Sequence, residues 1–171
     1  MSSETTTTPS TLTGAATGID HIAVAVPDLE ASIEFFTRKV GFKLKERRET
    51  LGKKTGMISA VLQAGPITVV LVQGTSPESQ VSRFIEHYGP GVQHIAIGLN
   101  NLPGVAEHLR GSGLDFDTSV IHGKGLLQIF SHRDPGSGLM FEFIEHVEET
   151  GDFSDESVQE LFRQLEEGDN F

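Results

Sequence analysis

Two histidines and one glutamate stand where their side chains could bind a metal ion. His21 and His94 each lie near the start of an alternating, strand-like segment, on the face that carries small residues, and Glu142 lies in a third apolar strand. Burying an unpaired carboxylate costs several kcal/mol, so Glu142 needs a cation or a proton. Two imidazoles and one carboxylate form a facial triad that leaves coordination positions open and suits non-haem Fe(II).

An internal repeat supports this interpretation. The His-Ile-Ala segment at His21 returns at His94, 73 residues later, and Asp28 and Asn101 follow the two histidines at the same interval. A single strand histidine is more often a satisfied core residue, but two at matching positions beside a buried glutamate favour a metal site. The remaining histidines are predicted to be solvated, and these are His87, His108, His122, His132 and His146.

The elements that must position these residues form two β-α-β-β-β units, predicted over about 18–75 and 91–147. We expect an α+β fold in which the units pair into one curved, partly closed eight-stranded barrel (18–148) with outer helices. In the second unit the strand after the helix is expected at about 114–119. Residues 1–17 are Ser/Thr-rich and predicted to be a disordered leader, and 149–171 a C-terminal helix (155–167) with a tail.

Composition narrows the function further. A net charge of −11 argues against binding the nucleic-acid backbone, and the chain contains no cysteine, which removes disulfides and thiolate chemistry. There is no apolar run long enough to span a membrane and no signal peptide, so a cytoplasmic protein is expected.

The repeat also predicts where a fourth metal ligand would lie. The counterpart of Glu142 in the first unit falls near Thr68, Val69 and Val70, and none of these is a strong ligand. Three ligands leave room for a bidentate substrate and O₂, which favours oxygen activation over epimerase or glyoxalase chemistry. A register error could still bring Gln63 or Gln73 near the metal.

Several longer motifs resemble one family. The paired units with their His…His…Glu pattern look like the vicinal oxygen chelate superfamily. Within it, the motifs Gly-Pro-Gly-Val-Gln-His-Ile-Ala (89–96), Leu-Leu-Gln-Ile-Phe (126–130) and Phe-Glu-Phe-Ile (141–144) resemble the catalytic C-terminal half of 4-hydroxyphenylpyruvate dioxygenase. The resemblance covers about residue 18 to the C-terminus and omits that family's N-terminal barrel.

The resemblance implies Fe(II) at His21, His94 and Glu142, O₂ as co-substrate, and a substrate whose own 2-oxo acid group chelates the iron. It also implies that substrate-pocket positions fall on Ser59, Gln80, Gln93, Gln128 and Phe130. Four further pocket positions depart from the family or match it only in part. These are Gln73 in place of Asn, Met140 in place of an aromatic residue, Val158 in place of an aromatic residue, and Phe153, which keeps a neighbouring aromatic.

The loss of aromatic walls predicts a small 2-oxo acid other than 4-hydroxyphenylpyruvate. Two alternatives stay open: a divalent-metal epimerase or isomerase of the methylmalonyl-CoA epimerase kind, and a metal-free small-molecule binding protein of the same fold. Lone barrels of this superfamily often pair, so a homodimer is a further expectation.

Overall fold

The computed structural model describes residues 8–148 and 155–168, and within them the chain forms one mixed eight-stranded sheet. The order of strands across the sheet is β2-β3-β4-β1-β5-β8-β7-β6. The strands are β1 (Ala16–Ala25), β2 (Lys43–Leu51), β3 (Gly56–Ala64), β4 (Ile67–Gly74), β5 (Gly91–Leu99), β6 (Ile121–Gly123), β7 (Leu126–Phe130) and β8 (Met140–His146). The sheet curls into an open half-barrel, which confirms the predicted fold class.

Within the described residues, five α-helices accompany the sheet. They are α1 (Leu12–Ala15), α2 (Leu29–Glu34, continued by a π-helical segment Phe35–Val40), α3 (Gln80–Tyr88), α4 (Leu102–Gly111) and α5 (Asp155–Glu167). The repeated Asp28 and Asn101 are the N-caps of α2 and α4, and their side chains accept hydrogen bonds from the backbone N–H groups of Ala31 and Gly104. The repeat in the sequence therefore marks two equivalent helix starts.

The two modules are related by a twofold pattern of strand pairing. β1 is parallel to β4, β5 is parallel to β8, and β1 and β5 pair antiparallel at the centre of the sheet. Each module packs its own helix against the outer face of its strands. The core under α2 contains Leu29, Ile33, Leu62, Val69 and Leu71, and the core under α4 contains Leu99, Leu102, Val105, Ile129 and Phe143. This packing leaves the inner face of the sheet for the site.

Two predictions about the elements are wrong, and the first concerns the end of the leader. The leader was expected to reach residue 17, but Leu12–Ala15 form a helical turn, Ala15 is buried against the α4 core, and β1 begins at Ala16. Residues 1–7 lie outside the described residues.

The strand expected at 114–119 is replaced by β6 at Ile121–Gly123. Within 114–119 a single bridge joins Phe116 to Ser131. The backbone N–H of Phe130 donates a hydrogen bond to the side-chain hydroxyl of Thr118, at 3.1 Å. Because this hydroxyl takes the place of a backbone carbonyl, the strand-to-strand hydrogen bonding does not continue past this point.

Helix α5 lies over the concave face of the sheet and contacts both modules. Glu166 accepts hydrogen bonds from the backbone N–H and the hydroxyl of Thr55, at 3.1 and 2.9 Å, in the loop between β2 and β3. Gln164 accepts a hydrogen bond from the backbone N–H of Ser119 in the second module, at 2.8 Å. Across the described part of the chain, no helix has the length and apolar character needed to cross a membrane.

Candidate metal centre

The strand register brings His21, His94 and Glu142 together on the inner face. His21 in β1 pairs with Ala96 in β5, and Ala96 pairs in turn with Glu142 in β8. His21 and Glu142 therefore lie in one row across the sheet, on either side of Ala96. His94 lies in the adjacent row, opposite Ala23. The small side chains of Ala23 and Ala96 leave space between the three polar groups.

The ligand atoms of the three residues converge on one point. The Nε2 atom of His21 lies 3.2 Å from the Oε2 atom of Glu142, the Nε2 atom of His94 lies 3.4 Å from the same oxygen, and the two Nε2 atoms are 3.4 Å apart. Ligand bonds of about 2.1 Å to a shared ion place neighbouring ligand atoms about 3.0–3.4 Å apart. The three donors therefore already have the separation that a metal ion requires.

The buried carboxylate also has an oxygen atom that the protein does not satisfy. Glu142 is 1% exposed, and its Oε1 atom has no hydrogen-bond partner among the described residues. A carboxylate oxygen left in this state is costly unless a cation or ligand completes it. The donor set and this oxygen fit a divalent metal ion.

Each histidine is oriented through its other ring nitrogen by the residue that precedes it. The Nδ1 atom of His21 lies 2.8 Å from Oδ1 of Asp20, and the Nδ1 atom of His94 lies 2.8 Å from Oε1 of Gln93. Both contacts fix the tautomer that presents Nε2 to the metal position, as partners behind metal-binding histidines commonly do.

Two β-bulges make these contacts possible. The β1–β5 register shifts between Ile19 and His21, and again where Ala23 pairs with His94 but Val24 pairs with Val92, so Asp20 and Gln93 are the extra residues. A bulge re-aims the extra side chain, which strict alternation would have placed on the outer face. Alternation alone counts against Gln93 in the cavity, and the bulge is what brings it there.

Asp20 and His146 belong to the site although the sequence interpretation did not include them. The second carboxylate oxygen of Asp20 lies 2.8 Å from Nε2 of His146, and both residues line the cavity. His146 was predicted to be solvated. It is 41% exposed, but it holds Asp20 against His21. The signal available in the sequence was the position of Asp20, which precedes the first histidine as Gln93 precedes the second.

Burial and charge set the protonation of the metal-free centre. Burial opposes the charge on His21, but the attraction of Glu142 and the hydrogen bonds to Asp20 and Glu142 raise the pKa of His21 to about 9. Burial also disfavours the Glu142 carboxylate, yet the two histidines lower its pKa to about 2. Burial lowers the pKa of His94. The metal-free centre is therefore an ion pair between protonated His21 and ionised Glu142, beside a neutral His94.

The position equivalent to Glu142 in the first module is occupied by Val70. His21, Ala96 and Glu142 are paired across three strands, and the same pairing in the other module joins His94, Ala23 and Val70. Val70 lines the cavity and offers no ligand atom. Neither Gln63 nor Gln73 is among the described residues that line it, and Val70 lies within the segment Thr68 to Val70 that the repeat indicated, one residue beyond position 69.

The concave face encloses a cavity of about 340 Å³ beside the metal centre. Seven of the predicted substrate-pocket residues line it, namely Ser59, Gln80, Gln93, Gln128, Phe130, Met140 and Val158. Gln73 does not: its side chain lies on the opposite face of β4 and accepts a hydrogen bond from the N–H of Leu29, at 2.6 Å, at the start of α2. Phe153 lies outside the described residues.

Two buried amides in the cavity have polar atoms without a hydrogen-bond partner among the described residues. Gln128 is 1% exposed, and neither its Oε1 nor its Nε2 atom has a hydrogen-bond partner in the described structure. The Nε2 atom of Gln80 is in the same condition. Buried polar groups are almost always paired with protein or with ordered water, so these amides are available to a polar ligand or to water in the cavity.

These features define a known superfamily. The model for the Glyoxalase/Bleomycin resistance protein/Dioxygenase superfamily matches residues 18–143, and the chain belongs to this superfamily. The resemblance to the vicinal oxygen chelate proteins, which form this superfamily, is thereby confirmed.

The relatives of this chain have several different named activities, including those of dioxygenases, epimerases and a lyase. A 4-hydroxyphenylpyruvate dioxygenase of Pseudomonas aeruginosa is 27% identical over 88% of this chain and 52% of its own length. A 4-hydroxymandelate synthase mutant of Streptomyces coelicolor shares the fold, with a TM-score of 0.80, 21% identity, and coverage of 89% of this chain and 55% of that one. A methylmalonyl-CoA epimerase variant of Streptomyces coelicolor is 25% identical, with a TM-score of 0.65 and coverage of 78% and 99%. The chain spans about half the length of the 4-hydroxyphenylpyruvate dioxygenases of Pseudomonas aeruginosa and Legionella pneumophila that it matches.

Proposed function

We propose that this protein is a non-haem Fe(II)-dependent dioxygenase that oxidatively decarboxylates and hydroxylates a small 2-oxo acid other than 4-hydroxyphenylpyruvate. The observation that carries the proposal is the three-ligand centre with Val70 at the fourth position. A triad of this kind leaves open positions for a chelating substrate and for O₂. Bound Fe(II) would supply the redox chemistry, with one oxygen atom of O₂ entering the new carboxylate as CO₂ leaves and the other hydroxylating the substrate.

The side chains of this protein have separate tasks in that reaction. His21, His94 and Glu142 hold the metal, and Asp20 and Gln93 fix the two imidazoles from behind. The amides of Gln128 and Gln80 offer neutral hydrogen bonds to the bound acid without competing for the metal.

The walls of the cavity limit the access of water. Val61, Val70 and Val72 line one side, and Val158, Leu161, Phe162 and Leu165 of α5 cover it. Removing water strengthens every electrostatic contact between the protein and the substrate inside the cavity.

The decisive test is O₂ uptake by protein loaded with Fe(II) under anaerobic conditions, across alkyl and aryl 2-oxo acids. We expect uptake coupled to CO₂ release with at least one acid and its loss in Glu142→Gln and His94→Ala. The matched control is His108→Ala, which removes an exposed histidine from α4 and should leave uptake and iron content unchanged.

One observation supports a second function. The chain aligns with 94% and 99% of the length of two methylmalonyl-CoA epimerase structures, at 26% and 25% identity. Proton exchange on acyl-CoA thioesters with Co(II), without O₂ uptake on any acid, would favour a metal-dependent epimerase. Protein that retains no stoichiometric metal after anaerobic purification would instead favour a metal-free binding protein.

A further inference from the structure

A charged pair lies on the wall of the cavity remote from the metal centre. Glu46 and Arg48 are on the inner face of β2, the edge strand of the sheet, and both line the cavity. The Nη2 atom of Arg48 lies 2.7 Å from Oε1 of Glu46, and its Nε atom lies 3.2 Å from the same oxygen. Arg47, between them, points outward and pairs with Glu30 on α2.

The strand register places Arg48 across the cavity from the metal. Arg48 pairs with Ser59 in β3, Ser59 with Val72 in β4, and Val72 with Ala25 in β1. Three strand spacings of about 4.8 Å each therefore separate β2 from β1 along the curved sheet. The wall between them presents Val61, Val70 and Val72. A ligand that reaches from the metal to Arg48 must have an apolar middle and a polar far end.

Fold stability does not explain the pair. Glu46 is 43% exposed and lies on the same edge strand as Arg48, and exposed ion pairs contribute little. Arg48, however, is only 19% exposed, and it lines the same cavity as the apolar side of α5. A shielded guanidinium forms strong, geometrically specific hydrogen bonds with a carboxylate.

Building on the function proposed above, we infer that Arg48 binds a carboxylate at the end of the substrate remote from the chelating group. The substrate class is then a 2-oxo dicarboxylic acid with an aliphatic chain. Glu46 accepts hydrogen bonds from the Nε and Nη2 atoms of Arg48 and so orients the guanidinium, and its negative charge partly offsets the positive charge of Arg48.

Matched pairs of acids test this inference. Calorimetric titration of the full chain loaded with Co(II), under argon, compares 2-oxoadipate with 2-oxohexanoate, which have the same chain length and differ by one carboxylate. We expect 2-oxoadipate to bind about tenfold or more tightly, in line with a charge-assisted hydrogen bond. Arg48→Gln should abolish that preference, and Glu46→Gln should increase it. Arg47→Gln, one residue away on the outer face, should leave it unchanged.

The outcomes separate this inference from the proposed function. Equal affinity for the two acids, or a preference that survives Arg48→Gln in protein with an unchanged circular dichroism spectrum, overturns the role of Arg48 and leaves the oxygenase proposal standing. Adipate and hexanoate repeat the comparison without the 2-oxo group. A preference for adipate that depends on Arg48, with no gain from the 2-oxo group, supports the role of Arg48 and counts against a 2-oxo acid substrate. Binding of none of the four acids overturns the assignment of an aliphatic dicarboxylic acid and leaves the oxygenase proposal to be decided by O₂ uptake with aryl 2-oxo acids.

Discussion

Val70 lies opposite Ala23 as Glu142 lies opposite Ala96, so the valine occupies the position that the carboxylate of the candidate metal centre has in the other half of the molecule. The two modules supply one histidine each, and only the second supplies a carboxylate. This asymmetry leaves one side of the metal position facing apolar cavity wall, where a chelating substrate can bind.

Replacing Val70 by glutamate should convert the centre to four protein ligands. We expect Val70→Glu to retain its metal against a chelator at least as well as the unchanged protein and to lose more than about 90% of O₂ uptake, since the new ligand takes a position that substrate needs. The measurements are metal content after chelator challenge and O₂ uptake. Val70→Leu, which adds no ligand atom, is the control, and full turnover by Val70→Glu would contradict the three-ligand interpretation.

Removing the carboxylate behind His21 should weaken the metal site without removing a ligand. Asp20→Asn leaves a neutral amide at the Nδ1 atom of His21, as Gln93 provides at His94, and we expect about a tenfold to hundredfold loss of metal affinity. Competition with a chelating dye measures this affinity. The control is Asp115→Asn, in the loop after α4, which should leave the metal affinity unchanged. If Asp20→Asn binds metal as tightly as the unchanged protein, Asp20 does not support His21 as a metal ligand.

Metal binding should release a proton. In the metal-free centre the pKa of His21 is raised to about 9, whereas the metal needs its unprotonated nitrogen. At pH 7 His21 is protonated, His94 is neutral because burial lowers its pKa, and Glu142 is ionised. Affinity should therefore rise about tenfold per pH unit from about 7 up to about 9 and level off above.

Calorimetry in two buffers of different ionisation enthalpy counts the protons released at pH 7. We expect about one per metal ion. A count near zero would mean that His21 is already neutral in the metal-free protein. Glu142→Gln removes the main attraction that holds this proton, so it should reduce the count in any protein that still binds metal.

The unpaired amide of Gln128 should lower the stability of the ligand-free protein. Replacing it by leucine removes a buried, unsatisfied donor and acceptor at similar size, and we expect a gain of about 1 kcal/mol in the free energy of unfolding. The same change should weaken substrate binding, because the amide is then unavailable to the ligand. Urea unfolding and substrate titration measure the two effects, and Gln63→Leu, outside the cavity, is the control.

Glu166 should hold α5 over the cavity. Glu166→Ala removes its hydrogen bonds to Thr55 and leaves the contact between Gln164 and Ser119 intact. We expect faster amide exchange in α5 and a raised KM, with the sheet unaffected. Hydrogen–deuterium exchange reports this directly. Glu167→Ala, which removes an exposed partner of Arg163, should leave α5 protection nearly unchanged.

Local sequence signals were sufficient for most of the fold. The repeated caps Asp28 and Asn101 and the alternation around His21, His94 and Glu142 predicted two equivalent modules and three inward-facing ligands. They succeeded because the caps act within one helical turn and strand alternation fixes the face of each side chain. The prediction of a strand from local pattern was wrong at 114–119, where the side chain of Thr118, in place of a backbone carbonyl, accepts the hydrogen bond from the N–H of Phe130.

The residues that surround the candidate ligands in the cavity could not be predicted from local sequence patterns, because they are brought there by contacts between strands. The bulges that turn Asp20 and Gln93 towards the histidines arise from the register between β1 and β5, which the tertiary fold determines. The sequence by itself predicted the three candidate ligands and Thr68, Val69 or Val70 at the fourth position, since both follow from residue type and the repeat. Only the tertiary structure decided which neighbours support those residues and that Arg48 lines the same cavity, because side chains on strands far apart in sequence come together only when the sheet forms and curls.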